Sequence, residues 1–137
     1  MASFALSNFE NENSGTFISE IMVNGYGLIK LAIDKILDSE NAASLTDCEE
    51  ALIAAEMIAA AAGNPAHDFP EEAMEWLTMN APPGSLELQE LVAHCEPAAD
   101  AIDRIVADSE LREFWDDHPE FNEWFEAQVD LQERLLP

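Results

Sequence analysis

The chain reads as an all-α protein, a compact antiparallel bundle of six or seven helices behind a short extended N-terminal lead-in. Three observations predict this. Apolar residues recur at three- and four-residue intervals over most of the length. Capping residues, glycines and prolines cut that pattern into segments of ordinary helix length joined by short loops. Beyond the lead-in no run alternates apolar and polar residues as a half-buried strand does. At 137 residues the chain fits one domain, 1–137.

The elements follow in order. In residues 1–13, Phe4, Leu6 and Phe9 are spaced for one side of a short extended segment, and Asn8, Asn11 and Asn13 favour turns. Asn11 and Glu12 read as turn-closing or capping residues in preference to a polar site. Ser14 is placed to cap a first helix carrying Phe17, Ile18, Ile21 and Met22. Asn24-Gly25-Tyr26-Gly27 breaks it, and a second helix runs from Leu28 to Asp38. Thr46-Asp47-Cys48-Glu49 has the form of a capping box, opening a long alanine-rich helix that Gly63 stops after Ala62. Pro70 suits the first turn of a short helix, with Glu71 and Glu72 near its positive end. Ala81-Pro82-Pro83-Gly84 ends that helix. Ser85 opens a helical region to Asp108, which Pro97 should kink or split near Cys95-Glu96. Ser109 caps a helix through Trp115, and Pro119 sits in the first turn of a last helix through Leu136.

Charge narrows the function. There are 29 acidic and 5 basic side chains, a net of -24. Residues 1–62, 63–108 and 109–137 carry nets of -8, -9 and -7, so the whole surface is anionic and there is no acidic tail. Such a surface argues against direct contact with nucleic acid or an anionic membrane, which require basic patches, and favours a basic protein partner. A hydrophobic content of 48% separates the chain from disordered polyanions. No apolar run approaches the ~20 residues that span a bilayer. The first twenty residues lack the basic and apolar regions of a secretory signal. Cys48 and Cys95, outside any C-x-x-C spacing, read as reduced buried thiols. A cytoplasmic protein is expected.

Motifs for chemistry are sparse. Glu90 and His94 share a helix face, and His67 precedes Glu71 by four residues, but nothing at familiar spacing completes a zinc site. Asp116, Asp117, Glu120 and Glu123 lack the loop pattern of a calcium site. There is no G-x-S-x-G and no glycine-rich phosphate loop. No cofactor, metal or catalytic residue is therefore assigned, and the expectation is a protein that is not an enzyme.

The strongest surface signal lies at the C-terminal end. Glu123, Glu126, Asp130 and Glu133 recur at 3, 4 and 3 residues along one helix face, opposite Phe121, Trp124, Phe125, Gln128 and Leu135. Glu110, Glu113 and Asp117 form a similar row one helix earlier. Each like-charge pair at this spacing costs about 0.2–0.5 kcal/mol of helix stability. These seven acids are the candidate partner-binding residues. The expected function is a non-enzymatic acidic protein-binding module, an immunity protein or a nucleic-acid-mimicking inhibitor of a basic partner. One alternative is a structural or oligomeric domain whose charge serves solubility only. Another is a metal-dependent enzyme using clustered carboxylates.

Residues along nearly the whole chain carry a family resemblance. Phe4-Ala5-Leu6-Ser7-Asn8-Phe9-Glu10-Asn11-Glu12 resembles an opening W-G-x-G-x-F-x-N-D, with Phe4 for the Trp, Ala5 and Ser7 for glycines and Glu12 for the Asp. Leu45-Thr46-Asp47-Cys48-Glu49-Glu50-Ala51-Leu52-Ile53-Ala54-Ala55-Glu56 resembles an E-A-L-A-A-A-E segment, and Gly63-Asn64-Pro65 with Phe69-Pro70-Glu71-Glu72 resembles G-x-P and L-P-E-E. Ser109-Glu110-Leu111-Arg112-Glu113-Phe114-Trp115 resembles S-E-L-R-E-L-W. In this order the segments resemble the small bacterial family called domain of unknown function 4259. The resemblance implies a compact single domain and brings no activity, cofactor or catalytic residue.

Overall fold

In the computed structural model, residues 8–9, 12–40 and 43–136 are described, residues 12 and 13 by backbone alone. Phe4, Leu6 and Asn11, the side chain of Glu12 and hence the expected extended lead-in lie outside the described residues. The elements are α1 (Glu12–Asn24), α2 (Gly27–Leu37), α3 (Leu45–Ala61), α4 (Glu71–Asn80), α5 (Leu86–Ala93), α6 (Cys95–Ala107), α7 (Glu110–Asp116) and α8 (Phe121–Leu135). A single residue, His94, separates α5 from α6, so these two are one broken helix. The break falls beside Pro97, which stands in the first turn of α6, where its missing N–H costs no helical bond. No described residue belongs to a strand; one parallel bridge joins Ala43 to Ser109. Among the described residues no helix is long and apolar enough to cross a membrane.

The core is built around α3. Eleven of its residues are buried, from Cys48 to Ala60, and it packs against every other helical segment. A helix apolar all round has no solvent face and must be enclosed. The alanines keep it thin, which lets seven segments approach one axis. Around it stand Ile21, Ile29, Ile33, Ile36, Leu91, Ile102, Ile105 and Leu131, all fully buried.

Start signals differ from expectation at several helices. Pro119 precedes Glu120, the cap of α8, and so lies outside its first turn, and Pro70 is the cap of α4 and not part of it. The cap of α3 is Ser44, whose hydroxyl accepts from the Asp47 N–H at 3.2 Å. Ser44 has the extended backbone a cap requires (φ -68°, ψ 159°), whereas Thr46 already lies inside the helix. Glu110 completes the start, its Oε1 accepting from the Leu45 N–H at 3.1 Å. Similarly, α1 begins at Glu12, ahead of Ser14. The Ser14 hydroxyl donates back to the Phe9 carbonyl at 2.6 Å and so fastens the entering chain. Ser85 and Ser109 cap as expected, accepting from Leu88 and Arg112 N–H groups at 3.1 and 3.0 Å.

The C-terminus of α3 is the stop that matters for the site. Gly63 adopts φ +96°, a conformation open to glycine, and reverses the chain. Its N–H donates to Ala60 and that of Asn64 to Ala59, at 3.0 and 2.9 Å. This places Asn64 against α8. Its amide donates to the Arg134 carbonyl at 3.1 Å, and Arg134 returns a bond to the Asn64 carbonyl at 3.3 Å.

Candidate functional site: an anionic cleft beside the last helix

Between α8, the α3–α4 loop and the entering chain lies a cleft of about 490 Å³. Its lining is Asn8, Glu56, Pro65, Ala66, His67, Asp68, Glu123, Glu126, Ala127, Asp130 and Arg134. The volume is in the range of small-ligand sites. Five carboxylates and one guanidinium line it.

The floor is a buried polar network. Glu56 projects from α3 and is 3% exposed. Arg134 meets it in a fork, Nη1 to Oε1 at 2.9 Å and Nη2 to Oε2 at 3.3 Å. The Asn8 amide donates to Glu56 Oε2 at 3.0 Å and to Gln128 Oε1 at 3.2 Å, and Gln128 donates back to Asn8 Oδ1 at 3.2 Å. Arg134 Nε also donates to Asp130 Oδ2 at 2.9 Å. The network joins the N-terminal segment, the central helix and the last helix at one place. Burial raises the Glu56 carboxyl above its usual range, against the pull of Arg134 and Asn8. For Arg134, burial pulls downward, but Glu56 and Asp130 outweigh it and hold the guanidinium charged.

The rim is acidic. Glu123 is partly buried, and its Oε2 is enclosed without a hydrogen-bond donor among the described residues. Glu126 and Asp130 are exposed further along α8, and Asp68 stands on the opposite loop. An enclosed carboxylate oxygen without a donor is costly. The arrangement suits a cationic group that brings its own N–H donors.

The structure separates the seven acids singled out in the sequence. Glu123, Glu126 and Asp130 line the cleft, and Glu133 is exposed on the same helix. Glu110 caps α3, and Glu113 and Asp117 are exposed at α7. Glu90 and His94 turn toward α2: Glu90 accepts from the Tyr26 hydroxyl at 2.8 Å and lies 3.5 Å from Lys30 Nζ, while His94 Nε2 lies 3.7 Å from Asp34. The Tyr26 bond, with Lys30 behind it, lowers the Glu90 carboxyl. Among the described residues no three His, Cys, Asp or Glu side chains gather closely enough to hold a metal ion. Cys48 and Cys95 are buried and unpaired, and burial raises both thiols.

The floor residues Asn8, Glu56, Gln128 and Arg134 were not singled out in the sequence. One signal pointed to Glu56: it is the only charged residue in the apolar run 51–62, so burial of that run demanded a partner for it.

The sequence profile of the family described as domain of unknown function (DUF4259) matches residues 4–127. The chain belongs to this family. In this DUF4259 member the match takes in Asn8 and Glu56 and the first half of α8, and Gln128, Asp130 and Arg134 lie just beyond it. No curated protein and no solved structure matches the chain.

Proposed function

We propose that this protein is a non-enzymatic acidic module that binds a basic protein partner through α8 and the cleft beside it. The observation that carries this reading is the use the fold makes of its five cations. Arg104 donates to the Leu37 carbonyl and to that of Ser39 at 2.7 Å. Arg112 donates to the Val106 carbonyl at 2.7 Å and lies over the Phe121 ring at 4.8 Å. Arg134 holds Glu56 and Asp130. Lys30 pairs with Glu90, and Lys35 opposes the rise that burial causes at the Glu50 carboxyl. Four of the five are thus bonded to the chain's own groups, and Lys35 acts on Glu50 through its field alone. Among the described residues no cation pairs with Glu123, Glu126, Glu133 or Asp68, which leaves them open to counter-charge from a partner.

A basic partner supplies it. Its approach is accelerated by the anionic field and weakened by salt. A toxin-neutralising immunity protein and a nucleic-acid mimic that occupies a basic groove share this chemistry, and both act in the cytoplasm of a bacterium in this reading. The test is capture of a partner from a lysate of the source organism, followed by salt titration of the complex. Elution as salt rises, with weaker capture by Glu126→Gln/Glu133→Gln, supports the reading. Affinity unchanged by salt, or no captured protein, overturns it.

A further inference from the structure

One face of α8 adds to the row of charge. Phe125, Val129 and Leu136 are 38%, 37% and 51% exposed. Phe125 and Val129 stand one turn apart on α8, and Leu136 is the residue that ends it, its backbone already non-helical (φ -128°, ψ 66°). The apolar side chains run as a strip from Phe125 to the C-terminal end of α8, about 15 Å of helix away. Its upper end is held by stacking of Phe121 on Phe125 at 6.0 Å, with Arg112 over Phe121.

Carboxylates stand on both sides. Glu126, Asp130 and Glu133, all exposed, occupy the adjoining arc of α8. On the other flank Gln132 donates to the Ala99 carbonyl at 3.0 Å and to Asp103 Oδ1 at 2.7 Å, which sets the Asp103 carboxylate of α6 beside the strip. Phe125 and Val129 on one helix face, with Leu136 exposed at the helix end, group apolar surface more closely than scattered side chains do.

We infer that this strip docks a basic amphipathic helix of the partner, its apolar side chains laid on Phe125, Val129 and Leu136 and its lysines or arginines against the two acidic flanks. The inference rests on the proposed binding function and names the surface and the partner element. Charge decides the occupant. A second copy of this chain would bring acidic flanks against acidic flanks, and an anionic lipid surface would be repelled by the same groups. A helix with apolar residues at i, i+3 or i+4 and i+7, edged by cations, satisfies both the strip and its flanks. Because Phe125 and Val129 lie on a packed helix, little of their conformational freedom is lost on docking.

The test uses the full chain and two labelled synthetic peptides of about four helical turns. One places leucine at helical spacing among lysines; the other is a scramble of the same composition. Fluorescence anisotropy is read at about 0.15 M salt, near physiological. The patterned peptide is expected to bind at least about ten-fold more tightly than the scramble. Val129→Gln/Leu136→Gln removes that preference while its circular dichroism stays native, and Glu126→Gln/Glu133→Gln weakens both peptides. Equal binding of the two peptides, or a preference that survives Val129→Gln/Leu136→Gln, overturns the inference. Concentration-dependent dimerisation lost in Val129→Gln/Leu136→Gln, without peptide preference, also overturns it and assigns the strip to a second copy. If the peptides bind equally while salt-sensitive partner capture persists, only the docking inference falls; loss of partner capture is the separate failure of the binding function.

Discussion

Glu56 and Arg134 form the interaction whose removal has the clearest consequence. Removing two charges from water is costly, and their attraction repays this only when both partners are present. Arg134→Met leaves the Glu56 carboxylate enclosed with only the Asn8 amide to hold it. A loss of the order of 3–5 kcal/mol is expected in urea unfolding at neutral pH. Glu56→Gln costs less, because Arg134 keeps Asp130 at 2.9 Å. The pH dependence of the Arg134→Met deficit has a definite sign. Burial raises the Glu56 carboxyl, so the folded protein holds a proton there more tightly than the unfolded chain. Stability from that group is present below the unfolded pKa and is lost as pH rises through the folded one. Without Arg134 the rise is larger, so the deficit should shrink as pH falls from neutral toward the ordinary carboxylate range. A deficit that grows on acidification contradicts the assignment. The sequence does hold a signal for Glu56, the one charge in the apolar run 51–62, although the residue was not singled out from it. Arg134, 78 residues away, was not identifiable as its partner, because that pairing depends on how α3 and α8 pack.

At the level of elements, periodicity and punctuation were readable because they are local. Most helix boundaries fall within a residue or two of the glycines, prolines and serines that signal them, including the break beside Pro97 and the stop at Gly63. The start of α3 was misassigned because two overlapping signals compete there. Thr46-x-x-Glu49 has the capping-box form, but Ser44-x-x-Asp47 lies two residues earlier, and the extended backbone at Ser44 decides between them. Ser44→Ala should therefore cost about 1 kcal/mol in chemical denaturation, and Thr46→Ala should be close to neutral. The reverse order of effects would restore Thr46 as the cap. The same logic reassigns Glu110. Its sequence spacing with Glu113 and Asp117 suggested a row, yet its carboxylate is bonded to the first N–H of α3. Spacing along one helix shows which acids share a face and not which of them another helix will engage. On α8 the row persists in part, with Glu123, Glu126 and Asp130 along the cleft.

On the scale of the whole molecule, the net charge of -24 opposes compaction. A core centred on an enclosed α3 offsets it, and four of the five cations, Lys30, Arg104, Arg112 and Arg134, tie one element to another. Screening should relieve the remaining repulsion. The thermal midpoint is expected to rise between about 0.01 M and about 1 M NaCl, as the Debye length falls from about 30 Å to about 3 Å. A midpoint that falls over this range would show that the internal ion pairs outweigh the surface repulsion. The measurement closest to the central claim is calorimetric titration of the captured partner at about 0.05 M and about 0.5 M NaCl, with the wild-type chain and with Glu126→Gln/Glu133→Gln. An acidic docking face predicts that wild-type affinity drops at least about ten-fold between the two salts and that the variant shows a shallower dependence. Affinity that is equal at both salts, in both proteins, would contradict it.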